Sequence, residues 1–160
     1  MKYNRFEELP VWNAAIELAV GVFALTAKSR FRGHYGTRNQ LENATVSVSN
    51  NIAEGFERGT TQELLTFIYI SRGSSGEVRS MLHLLDQVPE FTNFKFEISD
   101  LRSKAESISR QLRAWADSLQ NSDIRGTRYL NDKSRRAETQ RKEREEFLKE
   151  LAEIRNRKVP

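Results

Sequence analysis

The chain has 160 residues, 38% of them hydrophobic and 9% aromatic, which is enough for one domain with a buried core plus an appendage. Cysteine is absent, which excludes a disulfide framework, a thiolate zinc site and a cysteine nucleophile, and makes an intracellular, cytoplasmic setting the expected one. The net charge of +4 is unevenly placed: residues 1–120 carry 14 Lys and Arg against 14 Asp and Glu, whereas residues 121–160 carry 12 against 8, so the whole excess lies in the C-terminal part.

Met1 to Pro10 is mixed polar and charged with no apolar h-region, and no apolar run approaches the roughly 20 residues needed to span a bilayer. Neither an export signal nor a membrane span is expected. The first helical pattern begins near Pro10, whose missing N–H suits a first helical turn, and runs to about Ser29. Trp12, Ile16, Ala19, Val20 and Phe23 mark its expected buried stripe. Two glycines within four residues make Arg30 to Gly36 a loop.

A second helix is expected from about Thr37 to Gly59. Leu41, Thr45, Val48, Ile52 and Phe56 recur three or four residues apart on one face. Ser47, Ser49, Asn50, Asn51, Glu54 and Gly55 crowd between them, although Ser and Asn compete with the backbone for hydrogen bonds and Gly weakens a helix interior. Such a helix needs a tertiary reason to persist. Either another helix or subunit approaches closely, in which case Asn51 and Glu54 must find partners, or the polar residues face water.

Thr60-Thr61-Gln62-Glu63 is a capping-box pattern that opens a third helix. Its expected core residues are Leu64, Phe67, Ile68, Val78, Leu82 and Leu85, and its middle is a second small-residue patch, Ser71-Arg72-Gly73-Ser74-Ser75-Gly76-Glu77. Close approach within or between subunits and a kink at Gly73 and Gly76 are both open to this pattern. Val88-Pro89-Glu90 breaks the chain, after which Thr92 is placed to cap a fourth helix, with Phe91 and Phe96 as a hydrophobic staple. Its seam is regular: Ile98, Leu101, Ala105, Ile108, Leu112, Trp115 and Leu119 alternate spacings of three and four.

Four long helices joined by short loops predict an all-α protein, an antiparallel up-down-up-down four-helix bundle over residues 1–120. Residues 121–160 form a basic, mixed-charge C-terminal extension that reads as helical from Asn131, with Glu138 and Lys142, and Glu145 and Lys149, at i,i+4 spacing. Its apolar stripe, Phe147, Leu151 and Ile154, is short.

Little in the chain resembles a catalytic constellation. His34 and His83 have no E-x-x-H or H-x-x-x-H spacing, and Glu54, Glu57 and Glu77 are too few for a bundle-core metal site, so no metal, cofactor or catalytic residue is expected. There is no G-x-x-x-x-G-K loop and no G-x-S-x-G elbow. The chain reads as a non-enzyme. For nucleic acid the candidates are Arg38, Arg58, Arg72 and Arg79 on the helices, and Arg125, Arg128, Lys133, Arg135, Arg136, Arg141 and Lys142 in the extension, because clustered cations release condensed counterions on meeting phosphates. Interleaved Glu42, Glu57 and Glu77 keep a merely solvated, mixed-charge surface open as the other reading.

Asn50-Asn51-Ile52-Ala53-Glu54-Gly55, followed by a helix bearing Arg72-Gly73-Ser74-Ser75-Gly76-Glu77, resembles the bacterial four-helix-bundle family often called 23S rRNA intervening-sequence proteins. The resemblance runs from Phe6-Glu7-Glu8-Leu9-Pro10-Val11-Trp12 through Tyr35-Gly36 and Gln40-Leu41 to about Leu119. It implies a left-handed bundle assembled as a homopentamer, with Asn51, Glu54, Gly55, Gly73 and Gly76 in its packing and oligomer motif, and a role with nucleic acid. A related branch, the accessory variability determinant proteins of diversity-generating retroelements, implies RNA and a reverse transcriptase as partners. The chain departs from the family where Glu42 and Asn43 replace a usual pair of arginines, and the segment from Asn121 lies outside the pattern. The functional expectation is a homo-oligomeric, nucleic-acid-associated adaptor, accessory to a reverse transcriptase or a structured RNA. The alternative is a protein-protein scaffold that binds no nucleic acid.

Overall fold

A computed structural model describes residues 3–121, 140 and 143–153. The chain divides into two compact units, Met1–Gly126 and Thr127–Pro160. Every regular element among the described residues is helical. Four long helices make up the first unit: α1 (Pro10–Thr26), α2 (Tyr35–Glu57), α3 (Thr61–Gln87) and α4 (Lys95–Gln120), with short 3-10 turns at Phe6–Glu8, Ser29–Phe31 and Pro89–Phe94. Helix α1 packs on α2 and α4, and α3 packs on the same two helices. One apolar core runs between all four, from Leu18, Val22 and Leu25 of α1 to Val48 and Ile52 of α2, Ile68 and Leu82 of α3, and Ile98, Ile108 and Leu112 of α4.

Local sequence accounts for most boundaries. Pro10 opens α1 at a position where no N–H is needed. Thr60 caps α3: its hydroxyl accepts from the Glu63 N–H at 3.2 Å and donates to the Glu63 carboxylate at 2.8 Å. Gly33, with φ of 97°, supplies the left-handed turn between α1 and α2. Helix α3 continues through Gly73 and Gly76 as one α-helical element.

Four expectations are corrected. On α1 the buried face is Val11, Ala15, Leu18, Ala19, Val22, Leu25 and Thr26, while Val20 is 65% and Phe23 45% exposed and Trp12 and Ile16 are half-buried. Helix α1 is apolar almost all round, so periodicity alone does not choose between its two stripes. The loop before α2 is shorter than expected: Ser29–Phe31 forms a 3-10 turn that buries Phe31, and α2 starts at Tyr35. The staple and cap expected before α4 do not form. Phe91 is buried against Phe31, with ring centroids 4.8 Å apart, whereas Phe96 is 94% exposed. The Thr92 hydroxyl donates to the Pro89 carbonyl at 2.8 Å inside the 3-10 turn, which makes Phe94 the residue preceding α4. On α4 the seam holds from Ile98 to Leu112, after which Ala116 takes the buried position and Trp115 and Leu119 are half-buried.

In the second unit residues 143–153 are helical, and Phe147, Leu148 and Leu151 are exposed. Ile154 and the Glu138–Lys142 pair fall outside the described residues, because Glu138, Lys142 and Ile154 are among those not described.

Candidate nucleic-acid interface

The small-residue patches of α2 and α3 set the spacing between helices. At Gly55 the backbone of α2 lies against α3 so closely that a Cβ would come within 2.6 Å of the Phe67 Cβ and 3.3 Å of Leu64 Cδ1. Buried hydroxyls complete the close contacts. Ser71 donates to the Val48 carbonyl of α2 at 2.8 Å, and Ser75 donates to the Ala105 carbonyl of α4 at 2.7 Å. Each hydroxyl satisfies itself on a neighbouring helix's backbone, which only a short side chain at close range can do. The polar ends singled out on α2 behave differently from one another. The Asn51 amide donates to the carbonyl and hydroxyl of Ser47, at 2.7 and 2.9 Å, and the Ser47 hydroxyl in turn meets that of Ser74 on α3 at 2.9 Å. Glu54 is exposed and pairs with Arg58 along its own helix. Gly73 and Gly76 are not closed over within the chain: a Cβ at either would meet nothing within 4 Å.

The candidate cations do not form one patch. Arg38 donates to Glu42 at 2.9 Å, and the same carboxylate accepts from Thr26 of α1, so this arginine is tied into the α1–α2 contact. Glu42 is one of the two residues standing where the resemblance implies arginine, and here it serves as that contact's shared acceptor. Arg58, the residue that follows α2 and so about 30 Å from Arg38 at 1.5 Å per residue, is paired with Glu54 and lies over the Phe67 ring at 5.1 Å. Arg72 and Arg79 differ, since neither makes an ion pair among the described residues. They stand seven residues apart on α3, and so on one face of it. Arg125, Arg128, Lys133, Arg135, Arg136, Arg141 and Lys142 lie outside the described residues.

Arg79 opens into a groove of about 460 Å³ between α3 and α4, lined by Gly76, Arg79, Ser80, His83, Arg102 and Glu106. Arg102 reaches it from α4, donating to His83 Nδ1 at 3.2 Å and to Asp86 at 3.4 Å. Glu106 is engaged by Arg110, one turn along α4, at 2.8 Å. Sequence reading missed Arg102 and His83. Each is unremarkable on its own helix, and only the register of α3 against α4 brings them to Arg79.

Among the described residues no group of three or more His, Asp or Glu side chains is placed to hold a metal ion, and no helix is long and apolar enough to cross a membrane. The features that remain are those of a helical protein with two arginines, Arg72 and Arg79, on one face of α3 that make no ion pair among the described residues. Residues 7–114 match the family described as 23S rRNA-intervening sequence protein, and the chain belongs to that family. No curated protein matches the chain.

Proposed function

We propose that this protein is a non-enzymatic, homo-oligomeric, nucleic-acid-associated adaptor of the cytoplasm, built as an antiparallel up-down-up-down four-helix bundle with a basic C-terminal extension. The observation that carries the reading is the state of the four bundle arginines. Arg38 and Arg58 are consumed by ion pairs with Glu42 and Glu54 of α2, while Arg72 and Arg79 stand on one face of α3 without one among the described residues. Free cations on a rigid helix cost no internal ion pair when they meet phosphate. The family's description, which names 23S rRNA intervening sequences, makes structured RNA the first nucleic acid to try.

Assembly is part of the same reading. Val20 and Phe23 on α1 and Ile70 and Leu84 on α3 are exposed apolar side chains outside the core, available to a second copy or another protein. The resemblance implies five copies, and a reverse transcriptase working on structured RNA is the partner protein to test first. Repetition of the basic extension in a ring would let weak phosphate contacts add through multivalency. Cutting the chain after Gln120, where α4 ends, and comparing RNA and DNA binding over a salt series tests the proposal. The full chain should bind with strong salt dependence, and the truncated chain should lose most of the affinity, because residues 121–160 hold the whole excess of positive charge. Absence of binding by the full chain at low salt would leave the scaffold reading in its place. Light scattering should report several copies per particle, and a monomer over a wide concentration range would contradict the assembly.

A further inference from the structure

We propose that the α3–α4 groove is a binding site for the phosphodiester backbone of an unpaired nucleic-acid strand, with Arg79 and Arg102 on the phosphate and His83 beside the base. The proposal rests on the nucleic-acid reading above and gives it an address and a preference for single strands. Three observations carry it. First, the groove is roomy: its volume of about 460 Å³ falls within the range of roughly 300 to 1,000 Å³ typical of ligand sites, and Gly76 contributes no side chain to fill it. Second, its charges are poised for an anion. Arg79 has no ion-pair partner among the described residues, and Arg102, with its side chain 34% exposed, holds its place through His83 and Asp86 on only one of its nitrogens. Glu106, the carboxylate on the lining, is drawn to Arg110. On the lining, Arg79 and Arg102 stand against Glu106, a net positive charge, and Asp86, off the lining, faces Arg102. Third, the shape selects. A phosphate can enter between two helices only if its strand is free to bend into the cleft, and the imidazole of His83 and the planar guanidinium groups offer flat faces for an unstacked base. A duplex presents its phosphates on a convex surface with its bases already stacked.

The extension, by contrast, would attract any polyanion, so the signature of the groove is a preference rather than bulk affinity. The test uses the full chain and three labelled probes: an unstructured RNA strand, the matching RNA duplex, and the strand in competition with inorganic phosphate or a nucleoside monophosphate. Arg79→Gln removes a side chain that holds nothing else in place, so its fold should be unchanged by circular dichroism and melting. It should weaken strand binding about fivefold, flatten the strand's salt slope by about 0.7, the value for one lost phosphate contact, and leave the duplex nearly unaffected. Glu106→Gln should strengthen strand binding. Equal affinity and slope for Arg79→Gln and the parent, or an equal loss on strand and duplex, would overturn the groove while the adaptor reading stands. Competition by inorganic phosphate or the monophosphate as effective as an equal concentration of strand nucleotides would assign the groove to a small molecule and overturn the strand site. No binding of any probe by the parent chain would overturn both.

Discussion

The two small-residue patches, one on α2 and one on α3, look alike as sequence and differ as structure. Around Gly55 the helices are closed: α3 lies so near that a Cβ would stand 2.6 Å from that of Phe67. Around Gly76 the surface is open, although Ser75 next to it is fully buried and bonded to the Ala105 carbonyl of α4. One residue of helical rotation separates a contact from a cleft. A glycine in a helix signals that a side chain would be unwelcome, but the reason can be a neighbouring backbone or a space kept for something else. At Gly55 the neighbour is present in the chain itself. At Gly76 the space is lined by Arg79, His83 and Arg102, which is why we assign it to a ligand.

Substitution by alanine separates these two cases by sign. Gly55→Ala should destabilise the fold by about 1 to 3 kcal/mol, the usual range for overpacking, because the atom it meets is a Cβ fixed to the α3 backbone and cannot swing away. Thermal or denaturant unfolding reads this directly, and an unchanged midpoint would mean that the close approach of α2 and α3 is absent. Gly76→Ala should have the smaller effect and the opposite sign. With nothing within 4 Å of the new methyl group, the gain in helix propensity of about 0.5 to 1 kcal/mol should appear as a raised midpoint. A loss of stability there would place a second helix or subunit against Gly76, and would sharpen the comparison toward a subunit contact on that face.

How much of this was legible beforehand varies by element, for physical reasons. Helix α4 was readable because its polar residues leave one stripe free, so Ile98, Leu101, Ala105, Ile108 and Leu112 could only be its core. Helix α1 was not, because apolar side chains surround it and two stripes competed; of the expected one, Ala19 is buried while Val20 and Phe23 turned out to be exposed. The segment before α4 misled for a different reason. Phe91 and Phe96 fit a staple by spacing, but Phe91 has a deeper place against Phe31, and spacing cannot weigh a local contact against a distant one. The candidate site divides in the same way. Arg72 and Arg79 were visible as cations on one helix, whereas whether each cation was free or engaged, and the arrival of Arg102 beside His83, depended on side chains contributed by other turns and other helices.

The open groove can also be closed deliberately, and this tests its role more directly than removing a charge. Gly76→Leu in the full chain places an aliphatic side chain on the lining without altering any cation. The account predicts a melting temperature no lower than the parent's, because an exposed helical glycine is replaced by a good helix former, together with a loss of about tenfold in affinity for an unstructured RNA strand, equivalent to about 1.4 kcal/mol. A stable Gly76→Leu protein that binds the strand as tightly as the parent would contradict the assignment of the α3–α4 groove to nucleic acid.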